Sequence, residues 1–273
     1  MSDAADLTPP TTAEKAAALA ALHVAGDPLV VVNVWDAMTA RIVARTPGVR
    51  ALATASHSVA YAYGVEDGEG MSVDMALDAA RRITASSDLP VSVDFERGYA
   101  PDARGVGENV ARLIEAGAAG MNIEDSIAGA TSDRRPLEEA ASRVAAARAA
   151  ADAAGVPLAI NARTDTLAGS PDNWGEAIDR ANAYVDAGAT SIFMLGLRDE
   201  QMVADAVEKV RAPIAVFAHP GYLPISRLAE LGVGRISFGP QILGLTLHHL
   251  AEAAAQLTAH GDYPAELSYR YEL

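Results

Sequence analysis

Glu115-Ala116-Gly117-Ala118 stands directly before the apolar run Ala119–Ile123. The same arrangement returns at Asp186-Ala187-Gly188-Ala189 and at Glu230-Leu231-Gly232-Val233, each time just before a run of strand length. A glycine just past the end of a helix can adopt the left-handed conformation that ends the helix. The three motifs therefore predict a repeated unit in which a helix is followed by a strand.

Apolar or β-branched runs of strand length recur along the whole chain. They are Leu29–Asn33, Val49–Thr54, Pro90–Asp94, Ala119–Ile123, Val156–Asn161, Thr190–Leu195, Pro213–Phe217 and Gly234–Phe238. Ala-rich segments that predict helices separate most of these runs: Ala76–Ser86, Val106–Ala116, Leu137–Ala154, Trp174–Ala187 and Gln201–Val210. Near-continuous apolar strands that alternate with helices are typical of a parallel sheet covered on both faces.

The number and spacing of these units predict one α/β domain over residues 1–273, a (β/α)8 TIM-type barrel, which takes about 250 residues. A doubly wound fold is the alternative, and it usually places a glycine-rich phosphate turn after its first strand. Here the first strand ends in Asn33-Val34-Trp35-Asp36, and no G-x-G-x-x-G or Walker sequence follows. The barrel is therefore favoured.

The two ends of the chain lie outside the repeated units. Residues 1–10 are expected to form a flexible tail, and the capping-box pattern Thr11-x-x-Glu14 then opens a helix that runs to about His23. Gln241–Leu257 has the pattern of a long apolar helix. We expect residues 241–273 to form an oligomerisation segment that reaches a neighbouring subunit.

Charge and composition exclude several classes of function. Lys and Arg total 21 against 36 Asp and Glu, and the formal charge of −15 opposes sustained contact with nucleic acid or an anionic membrane. The chain has no cysteine, which excludes disulfides, thiolate metal sites and a cysteine nucleophile. No basic segment followed by an apolar one opens the chain, and no apolar stretch reaches the ~18 residues of a membrane span. We expect a cytoplasmic protein.

Polar residues gather at the ends of the predicted strands, where barrel side chains point into the mouth. They are Asp36, Ser56, His57, Asp94, Glu96, Glu124, Asp125, Asn161, Arg163, Asp165 and His219. A single acid in such a place is more often a helix N-cap than a ligand. Four or more carboxylates at one rim, however, raise one another's pKa unless a cation lies among them. An oxygen-only cluster favours magnesium or manganese over zinc.

His219 has no second histidine at a ligand-like spacing, and no H-E-x-x-H pattern occurs in the chain. It either faces a substrate or is structural, and both interpretations stay open.

Several segments, in their order and spacing, resemble the isocitrate lyase/phosphoenolpyruvate mutase superfamily, from about Asn33 to Leu250. The segments are Asn33-Val34-Trp35-Asp36-Ala37, Tyr63-Gly64-Val65-Glu66-Asp67-Gly68, Val93-Asp94-Phe95-Glu96-Arg97-Gly98-Tyr99, Asn122-Ile123-Glu124-Asp125 and Asn161-Ala162-Arg163-Thr164-Asp165. The segment that begins at Val93 resembles the D-x-[DE]-x-G-Y signature of that superfamily.

The resemblance implies a magnesium-dependent enzyme acting on a small 2-oxo acid. Asp94, Glu96 and Glu124 match the residues that hold magnesium, partly through water. Arg163, Glu124 and Asp67 are the implied catalytic residues, with Arg163 binding the substrate carboxylate or the departing group. The residues implied to contact substrate are Trp35, Asp36, Ser56, His57, Tyr99, Asn161, Arg163 and His219. The family also implies a homodimer or homotetramer in which the helix matching Gln241–Leu257 swaps between subunits.

Departures from the family pattern restrict the reaction. Isocitrate and 2-methylisocitrate lyases carry a K-[KR]-C-G-H segment after the glutamate of the fourth strand, and its cysteine handles a proton. The corresponding stretch here, Ser126–Arg135, has neither the cysteine nor the lysines. Phosphonopyruvate-forming mutases have a lysine soon after their E-D pair, where this chain has Ser126. Glu96 replaces the aspartate of many members and is one methylene longer.

Three hypotheses about function follow. The leading one is a magnesium-dependent lyase or hydrolase that cleaves a C–C bond of an oxaloacetate-like 2-oxo acid, because a bound metal can stabilise the enolate that forms. The second is a phosphonopyruvate/phosphoenolpyruvate mutase or a phosphonopyruvate hydrolase. The third is a barrel that binds 2-oxo acids without catalysis.

Overall fold

The computed structural model describes residues 8–127, 130–170, 172–259 and 261–268. Most of the tail predicted at residues 1–10, and residues 260 and 269–273 of the predicted oligomerisation segment, lie outside the described residues. The strands are β1 (Leu29–Val31), β2 (Asn33–Val34), β3 (Leu52–Thr54), β4 (Val91–Asp94), β5 (Gly120–Glu124), β6 (Ser126–Ile127), β7 (Ala130–Arg134), β8 (Ala159–Thr164), β9 (Ser191–Met194), β10 (Ile214–Phe217) and β11 (Arg235–Ser237).

Helices connect the strands of the large sheet and begin and end the described chain. They are α1 (Thr12–Ala21), α2 (Ala37–Ala44), α3 (Ser56–Ala62), α4 (Val73–Thr84), α5 (Ala103–Glu115), α6 (Leu137–Ala153), α7 (Thr166–Gly169), α8 (Trp174–Asp186), α9 (Glu200–Lys209), α10 (Ile225–Glu230), α11 (Gln241–Thr258) and a 3₁₀ turn at Ala265–Ser268. The predicted capping box of Thr11 and Glu14 is confirmed at the start of α1.

The large sheet closes into a barrel. Nine parallel segments pair in the order β1-β11-β10-β9-β8-β5-β4-β3-β2. The segments at the two ends of this order, β1 and β2, are consecutive pieces of the first predicted run, and they pair with β11 and β3 respectively. The sheet therefore closes on itself with eight strand positions, and the predicted (β/α)8 TIM-type fold is confirmed.

The glycines of the three motifs adopt the left-handed conformation that their sequence predicts. Gly117, Gly188 and Gly232 have φ of 90°, 102° and 89°, and each follows a helix and precedes a strand of the barrel. This left-handed conformation lets the chain turn within one or two residues from the outer helix to the inner strand.

Several local predictions need correction. The second run was expected at Val49–Thr54, whereas β3 spans only Leu52–Thr54. The fifth run was expected at Val156–Asn161, whereas β8 spans Ala159–Thr164. Pro157 explains the late start, because proline has no N–H to donate to the ladder. The loop after β5 also contains a small antiparallel pair, β6 and β7, that the sequence did not predict.

The hydrophobic core lies within the barrel wall and beneath the helices, and a smaller cluster lies beside the mouth. Trp35, Val59, Met71 and Leu243 are buried together in this side cluster, which fixes the start of α11 to the barrel. Farther along α11, three leucines are exposed: Leu245 (55%), Leu247 (49%) and Leu250 (64%). No helix within the described part of the chain is long and apolar enough to cross a membrane.

Candidate active site

The strand register brings polar residues from three neighbouring strands, β4, β5 and β8, to one end of the barrel. Asp94 of β4 lies beside Asn122 of β5, and Asn122 lies beside Asn161 of β8. One step farther toward the mouth, Glu124 lies beside Arg163. Because side chains alternate along a strand, Asn122 and Glu124 share the inner face of β5. The barrel thus presents its polar side chains in two rows.

Two adjoining cavities open at this end. The central cavity has a volume of about 220 Å³ and is lined by Ser56, His57, Asp67, Asp94, Asn122, Arg163, Phe193 and Phe217, among others. The acidic cavity has a volume of about 580 Å³ and is lined by Asp67, Glu96, Arg97, Glu124, Ser126, Arg163 and Asp165, among others. Ser56, Asp67 and Arg163 line both cavities, so these residues form the boundary between them.

Arg163 is held by two carboxylates. Its Nε and Nη2 donate to the two carboxylate oxygens of Asp165 at 2.6 and 2.8 Å, and its Nη1 lies 2.8 Å from Glu124 Oε2. The guanidinium also lies over the Phe193 ring, 5.7 Å from its centroid. Burial lowers the pKa of Arg163, but Glu124 and Asp165 raise it more, so the group stays charged. The arrangement is a fixed cation at the edge of the central cavity.

A buried network beneath this pair fixes Asp165. Asp125, only 2% exposed, accepts from the Asp165 backbone N–H at 3.0 Å and from Thr164 Oγ1 at 2.8 Å. The same carboxylate accepts from Tyr184 Oη at 2.7 Å and lies 3.4 Å from Arg180 Nη1. Buried carboxylates are stable when paired and hydrogen-bonded in this way. Asp125 therefore orients Arg163 indirectly, through Asp165.

The loop after α3 is clamped onto the loop after β4. Arg97 Nη2 donates to the Gly68 carbonyl at 2.7 Å and lies 3.4 Å from Glu69 Oε2. The Tyr99 N–H donates to Glu69 Oε1 at 2.7 Å, and the Glu69 N–H donates to Glu96. Glu69, Glu96 and Tyr99 have φ of 60°, 47° and 53°, a conformation that costs energy for residues other than glycine. Strained backbone that is held from both sides is typical of a functional site.

The carboxylates at the mouth raise one another's pKa. Burial raises the pKa of Asp94, and so do the neighbouring Glu124 and Asp67, while the Ser56 N–H that donates to Asp94 at 2.9 Å acts in the opposite direction. Burial also raises the pKa of Glu96 to about 7, with contributions from Asp94 and Asp67, although the Tyr99 hydroxyl donates to Glu96 at 2.6 Å. The mouth therefore carries negative charge that a cation would stabilise.

The donor set fits magnesium that keeps part of its water. In the part of the chain that the structure describes, no three acidic or histidine side chains converge closely enough to bind a metal directly. Magnesium commonly binds one or two protein carboxylates and retains several waters. Asp67, Asp94, Glu96 and Glu124 supply only oxygen ligands around two adjoining cavities, which suits such a hydrated ion.

Five residues expected to contact the substrate lie outside the central cavity. Trp35 is buried in the side cluster, and Asp36 is the exposed N-cap of α2, where it accepts from the Thr39 N–H at 2.7 Å. The Tyr99 hydroxyl supports Glu96, as described above. Asn161 is buried, donating to Asn122 Oδ1 at 2.9 Å and accepting from Ser191 Oγ at 2.8 Å. His219 lies at the end of β10, in a third cavity. Ser56 and His57 do line the central cavity.

The sequence interpretation missed several residues of this site. Asn122 lines the central cavity in the position expected for Asn161, and its place two residues before Glu124 on one strand is the signal that predicts it. Glu69 and Arg97 form the clamp between the two loops. Asp125 was noted at a strand end but was given no role, because its partners lie 55 and 59 residues away in the chain.

The fold and the site together define a class: a (β/α)8 barrel with an acidic mouth that fits a divalent metal and contains a fixed arginine. A family model for phosphoenolpyruvate phosphomutase matches residues 19–258. The chain therefore belongs to this family, within the isocitrate lyase/phosphoenolpyruvate mutase superfamily, whose members include lyases and mutases.

Relatives of this chain include 2-methylisocitrate lyases and oxaloacetate decarboxylases. The chain is 35% identical over 211 residues to 2-methylisocitrate lyase from Escherichia coli K12, which covers 75% of this chain and 70% of the relative. It is 31% identical over 209 residues to oxaloacetate decarboxylase from Pseudomonas entomophila L48, which covers 74% of this chain and 70% of the relative.

Solved structures confirm the fold. A Burkholderia cenocepacia J2315 protein described as a candidate phosphonomutase is 42% identical, with a TM-score of 0.86 over 89% of this chain and 100% of that one. Phosphonopyruvate hydrolase, solved with oxalate and magnesium, has the same fold at 22% identity and a TM-score of 0.82, over 94% of this chain and 92% of that one.

Proposed function

We propose that this chain is a magnesium-dependent enzyme that breaks a C–C bond at C3 of a small 2-oxo acid of the oxaloacetate class. The observation that carries the proposal is the pairing of Arg163 with Glu124 and Asp165, beside Asp94, at the edge of a central cavity of about 220 Å³. The fixed cation suits the carboxylate of a substrate. The cluster of carboxylates beside it suits a metal ion that the same substrate can chelate.

Arg163 has hydrogen-bonding capacity left for a substrate. A guanidinium carries five N–H groups, of which Nε and Nη2 each donate one to Asp165, while Nη1 forms an ion pair with Glu124. Both terminal nitrogens therefore keep at least one further N–H, and the side chain is 21% exposed. Two N–H groups on a planar fork match the two oxygens of a carboxylate. Arg163 therefore binds and orients the substrate carboxylate in this proposal.

Asp94, Glu96 and Glu124 are the proposed magnesium-holding residues, with Asp67 contributing from the loop after α3. When bound, magnesium would supply the positive charge that stabilises the negative charge developing on the substrate as the C3 bond breaks. Ser126 Oγ donates to Glu124 Oε1 at 2.6 Å, and Ser56 N–H orients Asp94. Both contacts hold the carboxylates in place and limit their rearrangement during the reaction.

The similarity to an oxaloacetate decarboxylase supports a decarboxylation or a retro-aldol-type cleavage. The similarity to 2-methylisocitrate lyase supports C–C cleavage in general, but this chain has no cysteine for the proton transfer that those lyases need. We therefore do not expect isocitrate or 2-methylisocitrate to be substrates.

Phosphonopyruvate chemistry is the second candidate function. The 42% identity to a candidate phosphonomutase favours it. Ser126, in the place of the lysine that follows the E-D pair in the mutases, opposes it, because a hydroxyl supplies no positive charge for a departing phosphoryl group.

The test is a substrate panel assayed with magnesium and with EDTA. It contains oxaloacetate, C3 to C6 2-oxo acids and phosphonopyruvate. Magnesium-dependent turnover of oxaloacetate or a related 2-oxo acid is the expected result. Turnover of phosphonopyruvate alone would replace the proposal with the second candidate. Magnesium-dependent binding of 2-oxo acids without any turnover would identify the chain as a binding protein.

Assembly is part of the proposal, because α11 presents the exposed leucines Leu245, Leu247 and Leu250. Leu247 and Leu250 are three residues apart and share one side of the helix, and exposed apolar side chains of this kind are typical of an oligomer interface. We propose a homodimer or homotetramer in which α11 packs on a neighbouring subunit. Light scattering should show at least a dimer, and Leu250→Glu should shift it toward monomer. A folded monomer at micromolar concentration would contradict this part.

A further inference from the structure

A third cavity of about 330 Å³ lies beside the central cavity, at the ends of β9 and β10. We call it the lateral cavity. Leu195, Gly196, Leu197 and Arg198 line it from the loop after β9, and His219 and Tyr222 line it from the loop after β10. Leu195 and Phe217 line both the lateral and the central cavity. The two cavities therefore adjoin at Leu195 and Phe217, and a ligand that extends from one cavity into the other would pass these two side chains.

The polar groups of the lateral cavity include a buried donor without a partner. Tyr222 Oη is buried, and among the described residues it has no hydrogen-bond partner. Burial raises the pKa of Tyr222 to about 12, with a smaller contribution from the negative charge of Asp199, so the hydroxyl keeps its proton at neutral pH. Buried polar groups nearly always have a partner, and one that lacks it adjoining a cavity indicates a ligand or water.

Arg198 adds a second donor to the lateral cavity, and His219 adds an aromatic ring to its wall. Within residues 8–127, 130–170, 172–259 and 261–268, Arg198 forms no ion pair, whereas the neighbouring Asp199 caps α9 by accepting from the Met202 N–H at 2.9 Å. His219 Nδ1 donates to the Pro220 carbonyl at 3.0 Å, so Nε2 of the neutral ring is an acceptor and supplies no N–H to an anion. The His219 ring packs between Phe217 and Tyr222, with centroid distances of 5.7 and 5.2 Å.

The loop that carries Arg198 has a defined position. Gly196 has φ of 102°, and a Cβ at this residue would lie within 2.6 to 2.8 Å of the Leu167 and Ala168 backbone. Only glycine fits this close approach, which fixes the loop after β9 against α7. Arg198 follows two residues later, so the packing of Gly196 against α7 also fixes the position of the Arg198 backbone at the edge of the cavity.

The chemistry of the lateral cavity differs from that of the acidic cavity. Its lining contains no Asp or Glu, and it combines a guanidinium, a phenol and an imidazole with apolar side chains such as Leu197 and Val216. In a chain with a net charge of −15, a cavity whose lining includes an exposed arginine but no acid favours an anion joined to a short apolar stem.

We propose that the lateral cavity is a subsite for the second carboxylate of a dicarboxylic 2-oxo acid, with Arg198 and Tyr222 as its donors and His219 as a contact. This inference rests on the proposed function, because the first carboxylate and the keto group occupy the central cavity. The alkyl stem passes Leu195 and Phe217. The subsite makes Arg198 and Tyr222 specificity-determining residues that select dicarboxylic over monocarboxylic substrates of the same length.

The test uses matched pairs of ligands that differ only in the second carboxylate. Calorimetry with magnesium compares 2-oxoglutarate with 2-oxovalerate, and 2-oxoadipate with 2-oxohexanoate, in the wild type and in Arg198→Gln and Tyr222→Phe. The wild type should bind one or both diacids about 10-fold or more tightly than the matched monoacid, the scale of a hydrogen bond to a charged group. Arg198→Gln should remove the preference, and Tyr222→Phe should reduce it, with monoacid binding unchanged.

Arg45→Gln is the matched control, because Arg45 is an exposed arginine at the far end of α2 and loses the same charge. It should retain the wild-type preference. The inference is overturned if the wild type binds both members of each pair equally, or if Arg198→Gln and Tyr222→Phe behave like Arg45→Gln. Pyruvate separates the two proposals: magnesium-dependent pyruvate binding without a diacid preference removes only the subsite, whereas no binding of any 2-oxo acid removes the proposed function as well.

Discussion

The polar side chains on the two sides of the barrel mouth differ in how many hydrogen-bond and ion-pair partners they have. Beside β5 and β8, Arg163 is paired with Glu124 and Asp165, and Asp125 beneath them accepts four contacts. Beside β9 and β10, Tyr222 Oη and Arg198 have no hydrogen-bond or ion-pair partner among the described residues. A network in which each side chain has several partners has one geometry and suits charge stabilisation, whereas donors without a protein partner at a cavity suit recognition of a variable group. We therefore assign the proposed reaction to the side of β5 and β8, and the proposed substrate selectivity to the side of β9 and β10.

The largest effect is expected at Asp94, on the paired side. Asp94→Asn keeps the shape of the side chain and removes one charge from the cluster. Turnover should fall by about 100-fold or more, the scale of losing a key electrostatic contact in a transition state. Folding should survive, and the melting temperature of the metal-free protein should stay equal or rise, because repulsion with Glu124 and Asp67 is relieved.

Asp102→Asn is the control for Asp94→Asn. Asp102 caps α5 by accepting from the Gly105 N–H at 2.8 Å, and asparagine is as good an N-cap as aspartate. Steady-state kinetics at several magnesium concentrations checks both variants. Equal activity of Asp94→Asn and Asp102→Asn would show that Asp94 is a structural residue at the end of its strand.

A smaller effect is expected at Tyr184, within the buried network. Tyr184→Phe removes the 2.7 Å hydrogen bond to Asp125 and leaves that buried carboxylate with fewer donors. The free energy of unfolding should fall by about 1.5–3 kcal/mol, the range for a hydrogen bond to a charged group. Urea unfolding measures it, with the exposed Tyr63→Phe as control. If both variants lose the same stability, the network does not hold Asp165 as described.

The smallest effect is expected at Tyr222, on the unpaired side. Tyr222→Phe removes a buried hydroxyl that has no described partner, so no protein hydrogen bond is lost. The free energy of unfolding should change by no more than about 0.5 kcal/mol, or increase, because an unsatisfied buried hydroxyl is itself unfavourable. The same urea experiment compares it with Tyr184→Phe. A loss as large as that of Tyr184→Phe would remove the contrast between the two sides.

The barrel could be predicted from the sequence because its signals are local. A glycine such as Gly117 ends a helix within a few residues, and the apolar runs mark the strands directly. Two strands begin three residues after their predicted starts: β3 and β8, the latter delayed by Pro157. The pair β6 and β7 was missed because strands of two and five residues within a loop leave almost no periodic pattern.

The candidate site was predictable only where the strand itself aims the side chain. Asp94, Glu124 and Arg163 follow from strand ends and alternation, and the structure places all three at the cavities. Asp36 follows a strand as well, but Thr39 provides a local N–H that makes it a helix cap. The clamp of Arg97 on Gly68 and the bond of Tyr184 to Asp125 join distant parts of the chain. Such pairings depend on tertiary packing and leave no local signal in one sequence.

Magnesium dependence of substrate binding is the most direct test of the central claim. A dianionic or monoanionic 2-oxo acid entering the bare carboxylate cluster would be repelled, whereas a divalent ion held by Asp94, Glu96 and Glu124 would attract it. Calorimetry of pyruvate with the wild-type protein in magnesium, then in EDTA, then with magnesium restored measures this directly. We predict binding in magnesium, its loss in EDTA and its recovery when magnesium returns. Undiminished pyruvate binding to the metal-free protein would contradict the assignment of the active site.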